Sequence, residues 1–523
     1  MIFRSPYPNI EIPEIPLTQF VLQRATELAD KPALIEASSG RTITYYQLKE
    51  FIERAAASLA QRGFGKGDVL GIVSPNVPEY AIALHAAASL GGIVTPINPL
   101  YTADEIAQQL NDAGARLLVA GPSFIEKALE AASHSRVEEL FVFGEAEGAT
   151  PFAALLQGTG AAPEVEINPR EDIVVLPYSS GTTGLPKGVM LTHHNLVSNL
   201  RQMDDLEYFN ESDTLICALP LFHIYGLVVI LNMGLHMGAT IVTMARFELE
   251  DFLRAARDYG VTLAHLVPPI ILALSKNPIV DNYQLPKLKT IFSGAAPLGE
   301  ELTRTCMNRL GCNIRQGYGM TETSPVTHSS PARAEQTKFG SVGVPAPGTE
   351  CKILDLSTGA VLGPRQEGEL CVRGPQIMKG YLNRPEATAQ TIDSEGWLHT
   401  GDIAYADEDG HFFIVDRAKE LIKYKGFQVP PAELEAILLT HPCVADAAVV
   451  PFPDDEAGEL PKAFIVSRAS VEGEDILDFV ARRVAPHKKV RFVEFIDKIP
   501  KSASGKILRR VLIERDRSTR KPQ

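Results

Sequence analysis

The six cysteines (Cys217, Cys306, Cys312, Cys351, Cys371 and Cys443) never fall in a Cys-x-x-Cys pair. Neither a zinc site nor a disulfide framework is therefore indicated. Scattered free thiols suit a reducing compartment, and a cytoplasmic location is expected. Positive charge is also short: the formal net charge is -14, whereas a general nucleic-acid binder carries a basic footprint. Met1 to Gln19 is proline-rich and contains acids, with no apolar run of signal-peptide type. The longest uncharged stretch, Thr214 to Ala245, could span a bilayer by length alone. Pro220, His223, Asn232 and His236 interrupt it, with Gly226, Gly234 and Gly238 between them, so it reads as a buried pocket-lining segment. No internal repeat or low-complexity tract is visible.

What is present fits a multidomain globular protein. With 523 residues, 45% of them apolar and 22% charged, the chain exceeds one core and is ordinary in composition. The first part alternates strand and helix signals. Strands are expected at Val69 to Val73, Ile93 to Ile97 and Arg116 to Ala120, and helices at Tyr46 to Arg62 and Glu79 to Leu90. Gly63 supplies a left-handed stop for the first helix. Thr102 with Glu105 forms a capping box. The rhythm returns at Thr290 to Ser293, Glu300 to Leu310 and Asn313 to Gln316. Such alternation predicts helix-covered parallel sheets, an α/β class. After about Ile414 the character shifts. Strand-like runs Phe412 to Val415, Ala445 to Pro451 and Ala463 to Val466 interleave with helices Ala432 to Leu439 and Glu474 to Val484, a small α+β domain. The expected division is residues 1–415, a hinge at 416–420 and a mobile domain at 421–523. Between His487 and Gln523 there are 12 Lys/Arg against 4 Asp/Glu; Lys501 and Lys506 there read as partners for phosphates.

The densest chemical signal is Tyr178-Ser-Ser-Gly-Thr-Thr-Gly-Leu-Pro-Lys-Gly188, after the apolar strand Ile173 to Pro177 and before a helix over His194 to Met203. Glycines let backbone approach a phosphate chain, while hydroxyls and amide N–H groups donate to its oxygens. Lys187 adds a positive charge. The spacing is not that of a Walker A loop. Nor is Gly317-Tyr-Gly319 a dinucleotide fingerprint, because Glu322 occupies the third glycine position. Asp407-Glu-Asp-Gly410 is too short for a calcium-binding hand and reads as a turn.

Tyr178 to Gly188 resembles the signature of the adenylate-forming superfamily, which includes acyl- and aryl-CoA synthetases, firefly luciferases and peptide-synthetase adenylation domains. Further motifs follow in the family's order: Leu219-Pro-Leu-Phe-His-Ile-Tyr225, Gln316-Gly-Tyr-Gly-Met-Thr-Glu322, Gly396-Trp-Leu-His-Thr-Gly-Asp402, Asp416-Arg-Ala-Lys-Glu-Leu-Ile-Lys-Tyr-Lys-Gly426 and Pro500-Lys-Ser-Ala-Ser-Gly-Lys506. Within the superfamily the sequence is most similar to 4-coumarate–CoA ligases and fatty-acyl-CoA synthetases. The resemblance implies ATP, Mg²⁺ and coenzyme A as cofactors and a carboxylic acid as small-molecule partner, in a monomer or homodimer without nucleic acid or a membrane span.

It also implies roles. Ser179, Ser180, Gly181, Thr182, Thr183 and Lys187 would hold phosphates, and Thr183 and Glu322 would hold Mg²⁺, a hard cation that prefers oxygen. Tyr318 would stack on adenine against Gly294 and Ala295, with Gln316 and Gly317 beside it and Thr321 at the α-phosphate. Asp402 would accept the ribose hydroxyls alongside Arg417. Lys506 would bring positive charge where an anionic acid attacks an anionic phosphorus. Lys419 takes the hinge position, Lys423 joins the nucleotide set, and Lys425 and Gly426 face the site when CoA enters, with Arg246 a further contact to CoA phosphate. His223 would gate the acyl pocket, and with Lys506, Glu322 and Thr183 it completes the catalytic set.

The acyl pocket is expected from Tyr225, Val228, Val229, Phe292, Gly317, Pro325 and Val326. Phe222 is followed by His223 rather than by the carboxylate that amino-acid-activating relatives use, which disfavours amino acids. Plant coumarate ligases tend to carry Asn and Lys where this chain has Val228 and Phe292. A phenol left unpaired there costs about 1–3 kcal/mol, which favours a medium- or long-chain fatty acid or an apolar aryl acid over hydroxycinnamate. Other readings are transfer to a non-CoA acceptor, or a nucleotide- or acyl-binding regulator on a ligase scaffold.

Overall fold

The computed structural model describes residues 1–179, 186–204, 206, 209–424, 427–454, 457–502 and 505–519. Two nine-stranded sheets form the body of a large N-terminal domain. In the first, the parallel strands Ile93–Ile97, Val69–Val73, Ala115–Ala120 and Glu139–Val142 lie side by side. The second is built on parallel strands Pro32–Glu36, Thr240–Thr243, Thr214–Cys217, Leu263–Leu266, Thr290–Ser293 and Asn313–Gly319. One hydrophobic cluster joins Leu70, Ile72 and Val94 of the first sheet to Leu34, Leu215 and Ile241 of the second, through helices Tyr45–Gln61 and Glu79–Ser89. The second of these helices is buried from Tyr80 to Ala88, and its alanines let both sheets approach closely.

Local signals act where expected. Thr102 caps helix Ala103–Ala113 in a reciprocal box with Glu105. Gly63 follows the first helix with φ of 76°, a conformation cheap only without a Cβ. Thr44 and Gln47 form a second capping box. Thr214–Ala245 is indeed interior: strands Thr214–Cys217 and Thr240–Thr243 flank a π-helix, Tyr225–Asn232, whose residues from Gly226 onward are buried. No helix among the described residues is long and apolar enough to cross a membrane.

One expectation needs correction. Residues 350–417 form an antiparallel sheet of Glu350–Leu354, Gly368–Arg373, Leu398–Ala406 and Phe412–Arg417, with Ile2–Arg4 added at the edge. Phe412–Arg417, grouped by sequence with the small domain's strands, therefore pairs with the large domain. Alternating strand patterns show which residues are extended, not which strand they will meet. The small C-terminal domain has its own sheet of Phe427–Val429, Ile422–Tyr424, Gly458–Ser467, Val444–Asp454 and Phe492–Phe495, packed by helices Pro431–Leu439 and Gly473–Ala481.

Candidate functional site

Strand Asn313–Gly319 is parallel to its neighbour up to Gln316 and then takes an antiparallel partner, Val326–Ser329. That switch carries Tyr318 past the end of the parallel sheet, where open α/β sheets place ligands. The Tyr318 hydroxyl donates to Asp402 Oδ2 at 2.6 Å, and Arg417 Nε lies 3.1 Å from Asp402 Oδ1. Asp402 and Arg417 face each other in register across neighbouring strands. Asp402 is only 5% exposed; burial pushes its pKa up, opposed by Arg417 and the Tyr318 hydroxyl. Desolvation by burial pushes the Tyr318 phenol well up, with Asp402 adding to it.

Lys506 comes to the same place from the other domain. Lys501 and Ile507 bridge across its loop, and Ser502 and Lys506 are joined through Ser502 N–H to Lys506 O at 2.8 Å and Lys506 N–H to Ser502 Oγ at 3.1 Å. Burial lowers the Lys506 pKa, Arg417 lowers it further, and Glu420 and Asp402 act the other way. The lysine thus sits in the field of the Asp402–Arg417 pair.

Tyr178 and Ser179 pair with Gly188 and Lys187, so the ends of the glycine-rich segment close as a hairpin. Ser179 Oγ and the Tyr381 hydroxyl each donate to Glu322 Oε1 at 2.9 Å. Glu322 is 6% exposed, and among the described residues it has no ion pair. A carboxylate oxygen placed beside the phosphate-binding segment is a donor type that suits a hard cation such as Mg²⁺. Lys187 Nζ lies 4.9 Å from the Tyr381 ring centroid. Ser180, Gly181, Thr182 and Thr183, and likewise Lys425 and Gly426, fall outside the described residues.

Gly294 and Ala295 follow strand Thr290–Ser293; Ala295 has φ of 69°, and a Cβ on Gly294 would come within 2.8 Å of Tyr225 Cε1. Gln316 is buried and gives its side-chain amide to Leu298 O at 3.3 Å. Thr321 opens the short turn that carries Glu322. Val228, Val229, Phe292 and Pro325 are buried, while Tyr225, Gly317 and Val326 are partly so. Gly317 faces Phe292, where an added Cβ would sit 2.8 Å from Cε1. The Tyr225 hydroxyl donates to Phe292 O at 3.3 Å and meets His265 Nδ1 at 3.2 Å. His223 Nδ1 accepts from Tyr225 N–H at 3.3 Å, and desolvation lowers its pKa to about 4, so the ring is neutral at pH 7.

Other expected residues stand apart. Arg246 is 84% exposed and paired with Glu248. Lys419 and Lys423 are exposed. The Asp407–Gly410 segment is a turn whose acids Asp407 and Asp409 bind Lys338. Sequence reasoning missed Tyr381 and His265. Tyr381 reaches Glu322 because strand Gly380–Tyr381 adds to Lys187–Thr192, a pairing with no local signature. Among the described residues, Glu369, Cys371 and His399 also form a group of metal-ligating types. Their polar atoms are already engaged: His399 Nδ1 lies 3.0 Å from Glu369 Oε2, and Gly401 N–H donates to Glu369 Oε1 at 3.1 Å.

Residues 21–382 match the family model for AMP-binding enzymes, and residues 433–506 match that for the AMP-binding enzyme C-terminal domain. The chain is 46% identical to a 4-coumarate–CoA ligase of Pinus taeda over 98% of its own length and 97% of the relative's. It is 45% identical to 4-coumarate–CoA ligase 2 of Nicotiana tabacum, over 98% and 96%. Its fold is similar to that of an anthranilate CoA ligase in complex with anthranoyl-AMP (TM-score 0.90, 26% identity, 98% of both chains). ATP-bound MatB from Rhodopseudomonas palustris is also similar (TM-score 0.86, 28% identity, 97% of this chain and 100% of that one).

Proposed function

The chain belongs to the AMP-binding enzyme family, and we propose that, as an AMP-forming acid–CoA ligase using ATP and CoA, it acts on a planar aryl or arylpropenoic acid. The observation that supports the chemistry is the convergence of Lys506, Arg417, Asp402 and Tyr318 from two domains. In this reading Asp402 accepts the ribose hydroxyls and Tyr318, held by that carboxylate, presents its ring to adenine. Ser179 and Lys187 bracket the phosphate loop. Glu322, with Thr183, holds Mg²⁺, which when bound neutralises phosphate charge. Lys506 faces the reacting carboxylate and α-phosphate, where negative charge gathers in the transition state. The carboxylate oxygen bonds to the α-phosphorus as pyrophosphate leaves; the CoA thiol then attacks the acyl carbon and AMP departs. Residues 416–420 serve as the hinge between the two steps, with Lys425 and Gly426 brought toward CoA in the second. Neutral His223 borders the acyl pocket.

The aryl preference rests on the pocket and the relatives together. Tyr225 and Phe292 offer flat walls, and Gly317 lets the Phe292 ring pack directly against its strand, since a Cβ there would sit 2.8 Å from Phe292 Cε1. The relatives named above are 4-coumarate ligases. Val228 and Phe292 give a phenol no hydrogen-bond partner, so cinnamate should match or exceed 4-coumarate; an unpaired buried hydroxyl costs about 1–3 kcal/mol. CoA-dependent AMP formation should be measured with cinnamate, 4-coumarate, benzoate and octanoate. The arylpropenoates should show the highest kcat/KM. If octanoate leads, the apolar pocket serves an alkyl acid and the aryl reading falls; ADP as product would remove adenylation altogether.

A further inference from the structure

Helix Pro268–Lys276 of the large domain meets the small domain at both of its ends. At its start, Gly505 of the Lys506 loop lies so close that an added Cβ would be 3.0 Å from Val267 Cγ2 and 3.4 Å from Pro269. About 14 Å away, the length of nine helical residues, Lys276 Nζ donates to Leu439 O at 2.8 Å. Leu439 is the last residue of small-domain helix Pro431–Leu439, whose final carbonyls have no partner within the helix. The other end of that small-domain helix is held as well: Asp416 Oδ2, on a large-domain strand, accepts from Ala432 N–H at 2.9 Å.

The arrangement is complementary to the helix dipole, with an anion at the N–H end and a cation at the C=O end. At the start of the helix, the N-cap residue Pro430 makes no side-chain cap; at its end, Thr440 and His441 donate to Ile437 O and Leu438 O, and Leu439 O takes Lys276. Between the two ends, Ala436 lies where a Cβ on Gly299 would be 3.7 Å away. Asp416 stands at the start of the proposed hinge and Lys276 well outside it, so rotation of the small domain about 416–420 must break the Lys276 contact.

We infer that Lys276 is a positioning residue, which seats the small domain by its helix Pro431–Leu439 and so places Lys506 for the first half-reaction. The inference rests on the two-step reading above. Lys276 touches no substrate and acts only through the pose. Losing one charge-assisted hydrogen bond should shift the balance between two poses by about tenfold. The first half-reaction needs the seated pose, whereas transfer to CoA uses the rotated one and gains nothing from the contact.

The test compares wild type, Lys276→Met and Lys276→Arg in two assays. One is cinnamate-dependent ATP–pyrophosphate exchange; the other is single-turnover transfer from pre-made cinnamoyl-adenylate to CoA. For Lys276→Met, exchange should fall about tenfold while transfer stays within about twofold, and Lys276→Arg should recover most of the exchange. Trypsin should also cut the 416–426 segment of Lys276→Met faster than that of wild type. An equal fall in both assays, or no change in either, overturns the positioning role. If wild type itself supports no exchange with any acid of the panel, the ligase reading fails, and this inference with it.

Discussion

Lys506 illustrates what one residue gains from its surroundings. Its ammonium is half-withdrawn from water beside Arg417, and both effects lower its pKa; Asp402 and Glu420 oppose them only in part. The catalytic role requires the protonated form. Adenylation kcat/KM should therefore decline on the alkaline side at a pH below the range of an ordinary lysine. Lys506→Ala should cut acyl-adenylate formation by about 10²–10³ and remove that alkaline limb, as loss of one preorganised charge-stabilising donor does. Transfer from pre-made adenylate to CoA should survive. Pyrophosphate exchange across pH, with single-turnover transfer beside it, checks both points; equal loss in both steps would deny Lys506 its selective place.

At the scale of elements, the segment 416–421 joins a strand of one domain to the sheet of the other. Ala418 N–H donates to Gly401 O, while Glu420 and Leu421 N–H groups both donate to Arg417 O. The Lys419 N–H makes no hydrogen bond among the described residues, so Lys419→Pro deletes none of these. It does fix φ near about -65° and restrict Ala418 before it. The expected variant still forms adenylate but loses CoA transfer, the opposite split to Lys506→Ala. Single-turnover assays of the two steps decide it: a Lys419→Pro protein that transfers normally would place the pivot elsewhere.

Over the whole molecule, burial of imidazoles sets an acid limit. His85, His193, His265 and His328 are at most 2% exposed, and desolvation lowers their pKa values to about 4, 4, 3 and 3. His193 must be neutral on geometry too, since its Nδ1 accepts Leu17 N–H at 3.0 Å. A folded pKa below the unfolded value near about 6.5 gives stability that is complete above that pH and is lost as pH falls toward about 4. Each ring then contributes about 1.4 kcal/mol per pH unit, and unfolding near pH 5.5 should take up about four protons from this set. Urea midpoints between pH 7.5 and 5.5 measure the slope. A flat profile would mean these rings are already charged in the fold, and His85→Leu should remove one proton's share.

Much of this was written along the chain. Strands Val69–Val73, Ile93–Ile97 and Thr290–Ser293 and helix Glu300–Leu310 occupy the residues expected of them, because periodicity, capping boxes and glycine stops are local. The glycine-rich segment stood out by its composition, while Asp402, Tyr318 and Lys506 were singled out through the motifs that resemble the adenylate-forming superfamily. Pairing across distance was not. Residues 350–417 form an antiparallel sheet, Tyr381 reaches Glu322 through a two-residue strand, and Lys276 meets a helix end 163 positions away. A strand pattern records which face is buried and a lysine records a charge, but neither records its partner. The partner is chosen by the packed whole, because a buried carboxylate, an open helix end or an orphan carbonyl takes whatever donor the tertiary fold brings within about 3 Å.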